Sequence, residues 1–578
     1  MDDRDLLCLE TGNQTEVTAI LKRFSEKHNK TFTFNELNEN DKRGRLWDIL
    51  QRKLDNAEDS ACHIHALSCI RILSREKIQL DDLISEQWLE TLLSLAGLLS
   101  QEEAMTRINQ PLTDYEVVLE AQKCLCNIVF NSKVALAMSC KNHTIEGVVM
   151  RMRTYRDPDI PSDIKYFDMR LLFIITALCS EVRPRLNEEL HGLTYLMETL
   201  DLILKEASGE EHHYERGAAC SDIHVILSDE HIGLACEILK VLFNLTLPPG
   251  NVIPPLDNSH VDEEEEAHFL RLVSILHDLL LCDATSPEKQ KELQNHTVNL
   301  LVSIPSNCFE ELMTPIQPDG VDLPKDMEFD GRNMQAVAVL LRFLEKQLDC
   351  SMQGARGQHE TLSPILTVLV KGSRGHRAMR KYLRQRVLPP LTDVMYRPEE
   401  GNKIRNKLCR LLTTPNSQVS GLVADFLFVL CKESVSRMVK YTGYGNAAGL
   451  LANRGLLLGG SSNSRGSGSG PGRYSSDSED SETEEYRNWR DQINPVTGSY
   501  EPPRSDPTIN MSEEQKEYEA SKLLDMMDKL SRGGIVQPCR IGEDGRPEPV
   551  EHVLELVESL PRQQIRPHHA MGSDEDSD

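Results

Sequence analysis

Two eight-residue runs, KCLCNIVF at 123–130 and KVLFNLTL at 240–247, each hold a lysine and, four residues later, an asparagine inside an otherwise apolar stretch. Residues four apart share one face of a helix. Neither type breaks bonds unaided, but an asparagine amide both donates and accepts, so a series of them can pin the backbone of a bound peptide. Such a series exists. Aligning IRIL at 70–73, CNIV at 126–129, MRLL at 169–172, FNLT at 243–246 and VNLL at 298–301 puts Arg71, Asn127, Arg170, Asn244 and Asn299 at matching places. Around them, Glu116, Lys123 and Asn127 share one helical face, Glu237, Lys240 and Asn244 a second, and Ser68, Arg71 and Arg75 a third. Arg71 and Arg75, one turn apart, are spaced to grip a carboxylate bidentately. One such face alone is an ordinary solvated surface; recurrence in five helices points to a peptide groove.

Other residues that could carry chemistry divide into weak and stronger signals. TGYGNAAGLLANRG at 442–455 contains Gly443, Gly445 and Gly449, but a dinucleotide site needs a buried strand before it, and the preceding VLCKESVSRMVKY reads as helix. These glycines are expected at a turn and a helix entry. HHYE at 212–215 lies in a polar loop without complementary ligands, so no metal site is expected, and no cofactor. No G-x-S-x-G or H-E-x-x-H motif occurs. The basic run KGSRGHRAMRKYLRQR at 371–386 stands out, with Arg374, Arg377, Arg380, Lys381 and Arg384. It is either an ordinary cationic face or a dock for phosphates. YSSDSEDSETEEY at 474–486 supplies candidates: Ser476 and Ser481 each have a glutamate three residues on, the pattern an acidophilic, casein-kinase-II-like kinase prefers. Each phosphate would add nearly two negative charges, enough to hold the segment against an arginine cluster.

The elements that must position these residues are helices. Thr113 and Glu116 make a capping box, and Val118, Ala121, Leu125, Ile128 and Val129 then recur at helical spacing. One amphipathic helix follows another to about residue 458, with no convincing series of alternating strands. Aromatics at 5% against 39% hydrophobics also suit helices better than sheets. The matched polar residues are 56, 43, 74 and 55 apart. Armadillo and HEAT units run ~40–47 residues, so the longer gaps hold insertions, including the 207–230 stretch. The fold class expected is an all-α armadillo/HEAT solenoid over residues 1–458, with a concave groove.

Beyond 458 the character changes. A flexible Gly/Ser-rich and acidic linker is expected over 459–511, an amphipathic helix over 512–532 and a disordered acidic tail over 533–578. In that helix Ser512 and Gln515 form a capping box, Leu523, Met527 and Leu530 make a stripe, and Gly533 and Gly534 end it. A net charge of −27 argues against nucleic-acid binding. The acidic opening MDDRDLLCLE is unlike a secretory signal, no apolar run is long enough to span a membrane, and most of the 15 cysteines sit in apolar helical runs. A reduced, cytosolic, monomeric protein is expected.

The stretches IRILSRE, KCLCNIVF, FDMRLLF, ILKVLFN, HTVNLL, VLPPLTDV, RNKLCRLLT, ADFLFVLCKESV and KYTGYGNAAGLLANRGLL together resemble the synembryn family, over about residues 15–460. INPVTG and SEEQKEYEASKLLDMMDKLSR are similar to its A type. The resemblance implies a cytosolic chaperone and non-receptor exchange factor for heterotrimeric G-protein α subunits, of the i, q and 12/13 classes, recruited through them to the cell cortex. It implies that the groove takes the last helix of Gα after that helix leaves its own domain, releasing GDP, and that the nucleotide-free protein is held until GTP arrives. Arg71, Arg75, Asn127, Phe167, Arg170, Phe243 and Asn244 fall on the family's contact positions, with Lys123, Lys240 and Asn299 on the same groove. Ser476 and Ser481 match its phosphorylated positions, with Ser481 replacing a threonine. The 512–532 helix would clasp the nucleotide-binding half of Gα. The alternative is a general armadillo adaptor of the importin or catenin kind. Against it, Trp47, Trp88 and Trp489 lie outside the ladder, where an importin-like groove interleaves tryptophan with asparagine.

Overall fold

The computed structural model describes residues 2–38, 41–100, 114–209, 225–247, 263–316, 323–352, 358–415, 417–457, 482–502, 508, 511–542 and 546–550. The chain divides into two compact units, Met1–Tyr382 and Leu383–Asp578, so the boundary expected at 458 falls inside the second.

In the first unit a row of helices stacks side by side: α1 (His63–Leu73), α2 (Tyr115–Asn131), α3 (Ser162–Leu178), α4 (Asp229–Thr246), α5 (Pro287–Ser303) and α6 (Gln358–Gly375). Each packs on the next, and each also packs on a helix that precedes it in the chain. Those partners are Lys42–Asp55, Glu86–Leu95, Thr144–Met152, Gly192–Ser208, Glu263–Leu281 and Gln335–Met352. The repeating unit is therefore a helix pair, and the unit is an all-α solenoid of the armadillo/HEAT kind. All five aligned runs fall on the row.

Local sequence fixes where these helices begin. α4 starts at Ser228, whose hydroxyl accepts from the His231 N–H at 3.1 Å. α5 starts at Ser286, followed by Pro287, which needs no amide partner in the first turn. For α2 the capping residue is Asp114, which accepts from the Val117 N–H at 3.2 Å, rather than the expected Thr113, which lies outside the described residues. Val118, Ala121, Leu125, Ile128 and Val129 are all buried, as their spacing requires. Trp47 and Trp88 are buried edge to face, 5.7 Å between centroids, and belong to the core.

One buried polar network joins four chain segments in this core. Asp168 on α3 is inaccessible and accepts from Arg151 Nε at 2.8 Å, Tyr155 Oη at 2.8 Å and Gln122 Nε2 on α2 at 2.6 Å. Arg151 also donates to the Ala96 carbonyl at 2.6 Å, just past the Glu86–Leu95 helix. Burial, then the Asp168 charge, pushes the Tyr155 phenol well above its ordinary range. A buried pair is weak evidence of net stabilisation, but removing one partner strands the other. Asp168→Ala is expected to lower unfolding free energy by about 3–5 kcal/mol, seen as a lower urea midpoint at an unchanged slope.

In the second unit, Ile404–Leu412, Ser417–Leu430, Val435–Thr442 and Tyr444–Asn453 pack together, and the segment from Glu482 to Glu501 folds onto them. Its two-residue strands Ile493–Asn494 and Ser499–Tyr500 pair antiparallel. Part of the 459–511 stretch expected to be linker is thus ordered structure, fixed by the Tyr500 N–H donating to the Val394 carbonyl at 2.7 Å. The reason is that INPVTG carries turn and pairing residues as well as polar ones.

Candidate functional site

Seen on the row, the matched runs share a longer pattern than the lysine and asparagine alone. Glu120, Lys123 and Asn127 on α2 have the same Glu-x-x-Lys-x-x-x-Asn spacing as Glu237, Lys240 and Asn244 on α4. Glu116, the expected acidic member, is exposed and outside it. Glu120 bridges two cations: its Oε1 lies 2.5 Å from Arg71 Nε on α1, and its Oε2 lies 3.4 Å from Lys123 Nζ. Glu237 repeats this with Arg170 on α3 at 3.1 Å and Lys240 at 2.5 Å, both on Oε1. Side chains three apart meet on a helix face, so each lysine reaches the glutamate of its own helix while the arginine crosses from the preceding one.

Phenylalanines complete each rung. Lys123 Nζ stands 5.7 Å from the Phe167 ring centre, and Lys240 Nζ 4.8 Å from that of Phe173, which Arg170 also faces at 5.7 Å. Phe167, Phe173 and Phe243 are half-buried. Sequence reasoning missed Glu120 and Phe173 and gave Glu237 no partner. The repeated spacing would have found Glu120, and the three-residue step Phe167, Arg170, Phe173 would have found the second ring.

The asparagines do something other than wait for a peptide. The last carbonyls of a helix have no partner within it. Asn127 Nδ2 donates to the Arg71 carbonyl at 3.2 Å and Asn131 Nδ2 to that of Ser74 at 3.0 Å, at the end of α1. Asn244 is 6% exposed and donates to Thr176 Oγ1 at 3.0 Å and the Phe173 carbonyl at 3.5 Å, near the end of α3. The expectation of a free amide at Asn244 is therefore corrected. Asn299 is half-buried, with no hydrogen bond from its side chain among the described residues. Arg75 is likewise engaged, donating to the Asn29 carbonyl at 2.7 Å and that of Thr31 at 3.4 Å beside the Phe32 ring. Arg71 and Arg75 are thus not an empty fork, because Glu120 already holds Arg71.

The basic run resolves into separate roles. Lys371 on α6 is buried and donates to the Val302 and Ile304 carbonyls at 2.8 and 2.9 Å, closing the end of α5. Arg380 is 3% exposed and donates to the Ser373 carbonyl, so burial removes it from any phosphate dock. Arg377 pairs with Asp330 at 3.2 Å, and Lys381 is half-buried. In the second unit Arg384 donates to Tyr441 Oη at 3.3 Å. Arg374 is half-buried. Ser476 and Ser481 lie outside the described residues, as does HHYE at 212–215.

The glycine motif follows a helix, Val435–Thr442, as expected. Gly443 has φ +75°, and a Cβ there would meet the Val496 carbonyl oxygen at 3.0 Å. The Tyr444 and Gly445 N–H groups donate to the Pro495 and Val496 carbonyls at 2.8 and 2.9 Å. Donors that a nucleotide phosphate would need are taken by the chain itself. The late helix spans Glu513–Arg532, with Ser512 and Gln515 capping reciprocally as expected. No residue of it is buried, and Leu523 and Leu530 are 56% and 41% exposed. Met527 is half-buried.

Fold and surface together define an all-α helical-repeat protein whose row of helices offers bridged cations between half-buried phenylalanine rings. The chain belongs to the synembryn family: the family model described as guanine nucleotide exchange factor synembryn, Ric8, matches residues 66–546. It is 42% identical to Chaperone Ric-8A of Danio rerio, over 99% of this chain and 98% of that one. To Chaperone Ric-8A of Gallus gallus it is 41% identical, over 94% and 95%. To Chaperone Ric-8 of Drosophila melanogaster it is 38% identical, over 98% and 99%. A solved structure described under a phosphorylation switch in the interaction between cadherin and beta-catenin is 13% identical, covering 78% of this chain and 73% of that one at a TM-score of 0.47. Among the described residues no helix is long and apolar enough to cross a membrane.

Burial pushes the Lys371 ammonium down from 10.5 to about 8. Between those values the unfolded chain holds the proton and the folded chain does not, so this group's contribution to stability rises with pH across that window. Buried thiols titrate in the opposite sense, so the comparison must be between variants. Lys371→Met is expected to lose that rise relative to the parent when urea unfolding is followed on both sides of the window.

Proposed function

We propose that the chain is a chaperone and non-receptor exchange factor for heterotrimeric G-protein α subunits, and that the α1–α5 row takes their detached C-terminal helix. The observation that carries the reading is the pair of matching rungs, Arg71–Glu120–Lys123 and Arg170–Glu237–Lys240, set among half-buried phenylalanines on a chain of this family. An amphipathic helix buries its apolar residues against the rings. Its C-terminal carboxylate, or an acidic side chain, competes with Glu120 or Glu237 for the cations. A charged hydrogen-bonded pair can exchange one carboxylate for another at little net cost, since the cation stays paired throughout.

Exchange follows from differential binding. A row that fits the last helix of Gα only when detached favours the open, nucleotide-releasing state by that difference in affinity. No covalent step is required. The nucleotide-free protein stays bound until GTP restores the closed form, so one act serves both chaperoning and exchange. The stripe of Leu523, Met527 and Leu530 on Glu513–Arg532 is a second contact in this proposal, on the nucleotide-binding half of Gα.

The deciding experiment adds the protein to GDP-loaded Gα and follows GDP release. Acceleration is expected with intact Gα and none with Gα lacking its last residues; equal rates would refute the proposal. Charge exchange makes a sharper prediction. Arg71→Ala is expected to weaken binding of a Gα C-terminal peptide roughly tenfold, one charge-assisted bond. Glu120→Gln, which removes the internal competitor, is expected to tighten it by titration calorimetry. Weaker binding by Glu120→Gln would show that Glu120 organises the rung instead of yielding to the ligand.

A further inference from the structure

Beside the Arg170–Glu237–Lys240 rung lies a group of side chains that the proposed function does not use. Cys236 on α4 and Glu292 and His296 on α5 bring one thiol, one carboxylate and one imidazole together, with ligand atoms all within 4.8 Å of one another. We infer that these three residues form a site for a divalent transition-metal ion of the zinc class, with a fourth position open.

The geometry comes from the packing of two row helices. Glu292 and His296 are four apart, so they stand one turn apart on one face of α5, the same spacing by which helical metal sites obtain two ligands. Cys236 comes from the neighbouring helix and is 2% exposed, so its sulfur is held by the core and not by a mobile loop. In a tetrahedral zinc site with bonds near 2.0–2.3 Å, neighbouring ligand atoms are roughly 3.3–3.8 Å apart. The three atoms need to close by about an ångström, which small torsions of Glu292 and His296 supply.

The chemistry of the set selects the ion. A thiolate and an imidazole favour zinc, cobalt(II) or cadmium over magnesium or calcium, which prefer all-oxygen shells. Thiolate and carboxylate together neutralise a divalent charge. As the metal–sulfur bond forms, the Cys236 proton leaves to solvent, so the step is balanced without any redox partner. Lys289 Nζ sits 2.9 Å from Glu292 Oε2 and would orient that carboxylate for the ion. The nearby charges are Lys240, Lys289 and Glu237, and the ion would sit next to Glu237 in sequence and one turn before Asn299.

The consequence is a clamp between α4 and α5, independent of whether Gα is the partner. The test uses the full-length protein, stripped of metal, and Co²⁺ as the probe. A sulfur-to-cobalt charge-transfer band and the visible bands of four-coordinate cobalt, saturating at one ion per chain, are expected. Cys236→Ser and His296→Ala should each abolish them, while Cys350→Ser, at an exposed thiol, should leave them intact. Zn²⁺ should displace the cobalt and raise the thermal midpoint of the parent but not of His296→Ala. The inference fails if no sulfur band appears, or if the band survives in a Cys236→Ser protein whose circular dichroism and urea midpoint match the parent.

Discussion

Carbonyl oxygens at the C-terminal ends of the row helices have no partner within their own helix, and buried there they must be given one by a neighbour. Asn127 and Asn131 serve α1 and Lys371 serves α5, each reaching back from a later helix of the row, while Asn244 holds the Thr176 hydroxyl near the end of α3. A side-chain amide of fixed length can satisfy such a carbonyl in only one axial offset between the helices. The repeat is therefore held in register by polar bonds as well as by apolar packing. That register sets everything that follows. With Asn127 tied to the Arg71 carbonyl, Glu120 is carried two turns up α2 to meet the Arg71 guanidinium.

The rungs also explain how a chain with a net charge of −27 keeps cations along one face. Glu120 is shared by Arg71 and Lys123, and Glu237 by Arg170 and Lys240, so each rung carries one surplus positive charge and not two. Glu237 is 4% exposed at its side chain, where an unpaired carboxylate would be costly, and Arg170 and Lys240 both pair with it there. Phenylalanine rings stand against Lys123, Arg170 and Lys240 and add cation–π attraction there.

The second unit shows the same economy with backbone groups. The glycines at 443 and 445 bring helix N-terminal N–H groups close to the carbonyls of 495 and 496, an approach a side chain at 443 would prevent. Two stretches 50 residues apart in the chain thus complete one another.

Much of this was legible before any coordinates. Helical period and the reciprocal Ser512–Gln515 cap are local properties, settled within four residues of chain, and the sequence reads them correctly, while the cap of α2 fell one residue later than expected, on Asp114. The recurrence of Arg71, Asn127, Arg170, Asn244 and Asn299 on one row also follows from spacing alone. What the residues do there did not. Asn244 was expected to face a ligand and is buried against Thr176. Arg71 and Arg75 were expected to act as a pair, yet one is held by Glu120 and the other by the Asn29 carbonyl. These partners are 46 to 68 residues distant in sequence. The sequence by itself determined which faces exist; the tertiary structure decided which faces meet, because helix-to-helix offset depends on packing between segments that carry no local record of one another.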